Sequence, residues 1–199
     1  MRRGEFDISD RAELKKLLNE AAFGTLCLND KPFAYMVSVN FAFRSGYIYF
    51  HGALEGRKYS LALKNHLASF SVVKEYAFVP SYFFGAMACG GTQYFASAFL
   101  EGELFIIKNK KQKAAALKLI MKKYQNEGGY EPLDAYMYDK MLDKTAVFKL
   151  KIASSSLKIK AGQNLNKEQA ILLMEKLKKR DGAKDLETIK LIKKFCFQG

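Results

Sequence analysis

Apolar residues alternate with polar ones over residues 23–28, 34–43, 47–51, 68–75, 94–107 and 146–152. Side chains of an extended strand point alternately to two faces, so this period predicts half-buried strands. Asn29-Asp30-Lys31-Pro32 and Arg44-Ser45-Gly46 read as the turns after the first two. Helices are expected over 9–19, 56–65, 112–124 and 132–142, the first capped by Ser9 or Asp10. In the third, Ala115, Leu117, Ile120 and Met121 make the expected buried stripe, and the lysines of 108–123 the solvated face. Gly102 marks a bulge or bend in the long strand of 94–107. Residues 76–91 read as an aromatic, glycine-rich loop, too apolar to stand free in solvent.

Beyond residue 152 the pattern changes. Residues 153–163 read as a polar joint. Asn166 and Gln169 then have capping-box spacing ahead of a helix to about Arg180. Asp181-Gly182 breaks that helix, and a second is expected over 183–195. Short strands with few crossover helices favour an antiparallel sheet curled into a barrel. The expected fold is mainly β (α+β): a barrel domain over 1–152 and a helical C-terminal extension over 153–199.

Composition narrows the partners rather than the fold. The chain has 199 residues, with 33 Lys and Arg against 20 Asp and Glu, a formal charge of +13. Such an excess favours anionic partners: a phosphorylated cofactor, nucleic acid or an acidic membrane surface. Cys27, Cys89 and Cys196 are far apart and odd in number, so neither a zinc site nor a disulfide framework is expected. Reduced thiols fit the cytoplasm. No stretch is apolar enough for a membrane span, and no apolar run follows the opening Met1-Arg2-Arg3 as in a secretory signal.

The candidate chemistry lies in Tyr47-Ile48-Tyr49-Phe50-His51-Gly52-Ala53-Leu54-Glu55-Gly56-Arg57-Lys58. An aromatic and β-branched strand runs into a glycine-flanked turn bearing adjacent cations. Glycine allows close backbone approach, arginine offers a planar fork of donors suited to phosphate, and lysine adds a point charge. His51 adds a side chain that titrates near neutral pH. The plain alternative is a hairpin turn with solvated charges.

Together with Gly24-Thr25-Leu26, with Tyr35-Met36-Val37-Ser38-Val39-Asn40-Phe41 and with Tyr94-Phe95-Ala96-Ser97-Ala98 ahead of Gly102, this stretch resembles the pyridoxamine 5'-phosphate oxidase-like split-barrel superfamily, and its nitroimidazole-resistance branch most closely. The resemblance covers most of 1–152. It implies FMN held in a cleft shared by the two barrels of a homodimer. Arg57 and Lys58 would hold the phosphate, the strand edge of Val37, Ser38, Val39 and Asn40 would pass along the ring, and Ser97 would lie near the ring or ribityl chain. His51 takes the branch's histidine position, as both cofactor contact and catalytic residue. The implied activity is reduction of small electron-poor molecules, nitroaromatics among them, with electrons from NAD(P)H. Two other readings stay open: a non-catalytic or haem-handling split barrel, with His51 or His66 as axial ligand, and a nucleic-acid binder, which no motif supports.

Overall fold

The computed structural model describes residues 3–197; Met1 and Arg2, part of the opening named above, lie outside the described residues. The strands are β1 (Gly24–Leu28), β2 (Tyr35–Val39), β3 (Ala42–Arg44), β4 (Tyr47–Ala53), β5 (Leu67–Val79), β6 (Thr92–Ile107) and β7 (Thr145–Lys160). The helices are α1 (Arg11–Glu20), α2 (Arg57–Lys64), α3 (Lys110–Tyr124), α4 (Asp139–Lys144), α5 (Lys167–Arg180) and α6 (Asp185–Cys196). The strands form one antiparallel sheet in the order β2-β1-β5-β6-β7-β4-β3, the α+β barrel that the alternating pattern predicts, in the split form that the resemblance implies.

Three expectations change. The strand expected over 34–43 is two strands, β2 and β3, separated at Asn40-Phe41, where Phe41 is fully buried. The expected polar joint is strand as far as Lys160, because β7 continues, exposed over 153–156 and then with Leu157 and Ile159 buried on either side of the half-buried Lys158. Likewise β5 runs on to Val79, so the aromatic loop begins only at Pro80. Gly102 stands where the neighbouring strand comes close. A Cβ there would lie 1.9 Å from the Lys151 carbonyl oxygen, a distance no side chain tolerates.

The chain divides into two compact units: Arg11–Val72 with Ala98–Ser155, and Met1–Asp10 with Val73–Ser97 and Ser156–Gly199. The first has an aromatic core. Phe41, Phe50, Phe70 and Phe148 are fully buried, with Phe50 stacked on Phe148 at 5.0 Å and Phe41 edge-on to Phe70 at 5.3 Å. In this unit α3 is capped by Asn109, whose side chain accepts from the Gln112 N–H. Its buried face is Lys113, Ala114, Ala116 and Ile120, so the stripe is rotated from the expected one and Ala115 is exposed. Lys113 is no solvated lysine: its ammonium donates to the carbonyls of Leu142 and Thr145, both at 2.7 Å. Lys123 also departs from the solvated face, with Nζ 3.6 Å from the Phe41 ring centre and burial pushing its pKa down to about 8.

In the second unit Asn166 and Gln169 complete the capping box, each side chain bonded to the other's backbone N–H. Ala170, Leu173, Leu177, Leu191 and Ile192 bury the inner faces of α5 and α6. The three cysteines are free thiols, Cys89 exposed and the other two half-buried. No described helix is long and apolar enough to cross a membrane.

Candidate functional site

β4 delivers the chain into α2 across Leu54, Glu55 and Gly56. Gly56 has φ +84°, a left-handed conformation that glycine adopts without strain. Its carbonyl accepts from the Ser60 N–H at 3.1 Å, the first bond of the helix. The N–H groups of Arg57, Lys58 and Tyr59 therefore precede the helical ladder, at the positive end of the helix dipole. Three such donors beside two cationic side chains make an anion site in principle.

The two cations are held differently. The Lys58 ammonium donates to the His51 carbonyl at 3.2 Å and lies over the Phe50 and Phe148 rings at 5.9 and 5.6 Å. It reaches there because residue 52 is glycine: a Cβ at Gly52 would stand 2.6 Å from Nζ and 2.9 Å from Cε. Burial holds the Lys58 pKa below the usual lysine value. Arg57 instead points its Nε and Nη2 at one oxygen of Asp30, at 2.8 and 2.7 Å, and rests on the Tyr35 ring at 5.1 Å. An ion pair this exposed orients the guanidinium more than it stabilises the fold.

His51 lies on β4 opposite Val147 and keeps much of its surface exposed. Neighbouring protein atoms still desolvate its ring, and that burial, followed by the charge of Lys58, lowers its pKa. The imidazole is thus neutral at physiological pH, able to accept a proton at one nitrogen and donate at the other. On β2, side chains alternate: Tyr35, Val37 and Val39 share the face that meets Arg57 through Tyr35, while Met36 and Ser38 are exposed on the other. Asn40 follows, exposed, at the end of the strand. Arg57, Lys58 and His51 are thus gathered at one end of β4, and β2 is tied to them through Arg57 on Tyr35. Ser97 is half-buried on β6 and belongs to the other unit.

A cavity of about 650 Å³ is lined by Cys27, Asn29, Ala34, Asn65, Glu101 and Glu103 among others, and by none of these site residues. Its two carboxylates, Glu101 and Glu103, carry the wrong sign for a phosphate, whereas Arg57 and Lys58 carry the right one. No cluster of three or more metal-ligating side chains occurs among the described residues. Sequence reasoning missed Asp30 and Tyr35, which position Arg57, and Phe148, which floors Lys58. Asp30 was visible only as a turn residue, and nothing local links it to a residue 27 positions on.

Comparison with known proteins agrees with this fold. The family model for pyridoxamine 5'-phosphate oxidase matches residues 10–159, and the chain belongs to that family. No curated protein matches the sequence. Among solved structures the fold is similar to a candidate 5-nitroimidazole antibiotic resistance protein of Bacteroides thetaiotaomicron, at 19% identity and a TM-score of 0.63 over 77% of this chain and 86% of that one. A flavocytochrome of Azotobacter vinelandii matches at 19% identity and a TM-score of 0.65, over 79% and 70%. An FAD and haem binding protein of Mycobacterium smegmatis matches at 20% and 0.65, over 78% and 74%. Helices α5 and α6 lie beyond the residues that the family model matches.

Proposed function

We propose that this member of the pyridoxamine 5'-phosphate oxidase family is an FMN-binding flavoprotein that reduces small electron-poor molecules of the nitroaromatic type. The carrying observation is the convergence of Arg57, Lys58 and the free first-turn N–H groups of α2. The fit of a phosphate there rests on the space at Gly52, which admits the lysine, and on the left-handed Gly56, which aims the helix start. Val37 and Val39 line the adjoining face of β2, with Ser38 and Asn40 supplying polar edges. Bound FMN would supply the electron transfer, taking electrons from NAD(P)H, while the protein supplies binding and orientation. His51 holds or delivers a proton close to the phosphate anchor.

A homodimer, the cytoplasm and a small-molecule substrate complete the reading. The exposed Tyr82, Phe84 and Met87 in the loop after β5 support the dimer, since apolar clusters of this kind favour burial. Sedimentation at micromolar concentration tests it, and a monomer there refutes it.

An absorption spectrum of the purified protein is the first test. Flavin gives bands in the blue and near ultraviolet. A dominant Soret band instead supports the haem reading, which the names of two fold neighbours motivate and for which His51 and His66, both exposed, offer nitrogens. Replacing Arg57 and Lys58 together with alanine removes charge-assisted bonds of about 1.5–3 kcal/mol each, so FMN affinity is expected to fall at least about tenfold. Riboflavin, which lacks the phosphate, should bind the parent poorly and the variant no worse. His51→Ala is expected to leave stability within about 1 kcal/mol while lowering nitro-substrate turnover in a pH-dependent way. A variant that melts early yet turns over normally would refute a catalytic His51.

A further inference from the structure

A second cationic pocket, of about 300 Å³, lies in the unit formed by Arg11–Val72 and Ala98–Ser155. Arg44, Tyr49 and Lys149 line it from β3, β4 and β7, and Gln112, Ala115 and Leu119 from α3. Its volume is at the lower end of small-molecule pockets.

The pocket has an apolar floor and a polar rim. Ile107 and Ala116 pack with Val147 in a buried cluster against which Tyr49 also rests, so one wall is continuous with the core. Opposite it stand two cations. Tyr49 and Lys149 are paired across β4 and β7, and the Lys149 ammonium lies 5.6 Å from the ring centres of both Tyr47 and Phe105. Among the described residues neither Arg44 nor Lys149 forms an ion pair, and no carboxylate lines the pocket. In a chain where many lysines meet a carboxylate or a carbonyl, two unmatched cations over an apolar floor are a distinct arrangement. Burial first, then the neighbouring Tyr47, raises the Tyr49 pKa against the lowering effect of Arg44, so the phenol keeps its proton and can donate.

We infer that this pocket binds a small aromatic carboxylate, with the ring against Ile107, Ala116 and Leu119 and the carboxylate between Arg44 and Lys149, within reach of the Tyr49 hydroxyl. It shares no residue with the cation pair of α2. Apolar and cationic surfaces together select a flat anion: the ring gains from apolar burial, and the carboxylate matches the guanidinium fork.

Calorimetric titration of the full chain with benzoate, and with benzyl alcohol as the neutral analogue, tests this. Saturable benzoate binding is expected below about 10 mM, with benzyl alcohol at least about tenfold weaker. Arg44→Gln with Lys149→Gln should weaken benzoate at least about tenfold. Ala115→Phe, at an exposed helix position, should fill the pocket and abolish binding while both charges remain. Each variant is checked by its melting temperature, and Ala115→Phe decides if the double variant fails to fold. Equal affinity for the alcohol, no benzoate binding in that range, or binding untouched by Ala115→Phe would each overturn the inference.

Discussion

Two cation-rich regions use their charge in opposite ways. Around α5 and α6 several cations are matched by acceptors within the same unit. Arg180 grips the buried Asp185 and also donates to the Phe78 carbonyl at 2.9 Å; Lys184 meets Glu75, Lys74 meets Glu187, and Lys176 reaches the Phe83 carbonyl. At the start of α2, Lys58 has among the described residues a carbonyl and two ring faces, and the Arg57 fork spends two donors on a single oxygen. A net charge of +13 cannot distinguish these situations. Pairing can: matched charge holds elements in place, and undermatched charge beside free helix N–H groups is available to a ligand.

The largest effect is expected where the match is most buried. Asp185 is 1% exposed and accepts from Arg180 Nε at 2.8 Å and from the Gly182 N–H at 2.9 Å. Asp185→Ala strands the guanidinium and an N–H, and should cost about 3 kcal/mol in urea unfolding. The hydrogen bond from Arg180, then that from Gly182, holds the carboxyl below the usual carboxylate range against the opposing effect of burial. A depressed folded-state pKa gives stability that is present above the unfolded value, near 4, and lost as pH falls through the folded value. Melting temperature should therefore drop below about pH 4 in the parent, and less steeply in the variant. A variant as stable as the parent would show that matched charge in this unit is decoration.

How much was legible in advance follows the same divide. Local signals survived: the capping box at Asn166 and Gln169, the turn at Ser45-Gly46, and the run from β4 into α2 stand where the pattern put them. Periodicity failed where residues serve distant partners. Lys113 reads as a surface lysine until the carbonyls of Leu142 and Thr145, about thirty residues on, are brought to it. Ala153 and the serines of 154–156 read as a joint because all four are exposed, on both faces of β7, although the strand continues. Arg57 and Lys58 were identifiable by type and spacing, but their different environments depend on Asp30, Tyr35 and Phe148, which no local rule connects to them.

The undermatched side is probed by filling the space that Lys58 occupies. In Gly52→Ala the new Cβ would clash with the end of a flexible side chain and make ordinary contact with the Phe148 ring at 4.0 Å, so the fold should tolerate it while Nζ moves off its two rings. FMN affinity is expected to fall about tenfold, roughly 1.4 kcal/mol, with the melting temperature of the apoprotein nearly unchanged. Equal FMN binding by Gly52→Ala and parent would mean that Lys58 does not act from this position.

The smallest effect sharpens the comparison most, because it asks whether Arg57 is partly matched or merely aimed. Asp30 neutralises charge that a phosphate would otherwise meet, but it also fixes the guanidinium over Tyr35. The Arg57 side chain is 60% exposed, and a pair this open contributes only about 0.2–1 kcal/mol. Orientation lost from so exposed a side chain is therefore cheap, whereas the carboxylate stands directly beside the expected anion. Asp30→Asn keeps the shape and removes the charge. It should strengthen FMN binding by about two- to fivefold at low salt, with the gain shrinking as ionic strength rises. Riboflavin affinity should not change. A loss of FMN affinity that persists in high salt would show that Asp30 acts by aiming Arg57, and would place the α2 site with the matched cations of α5 and α6.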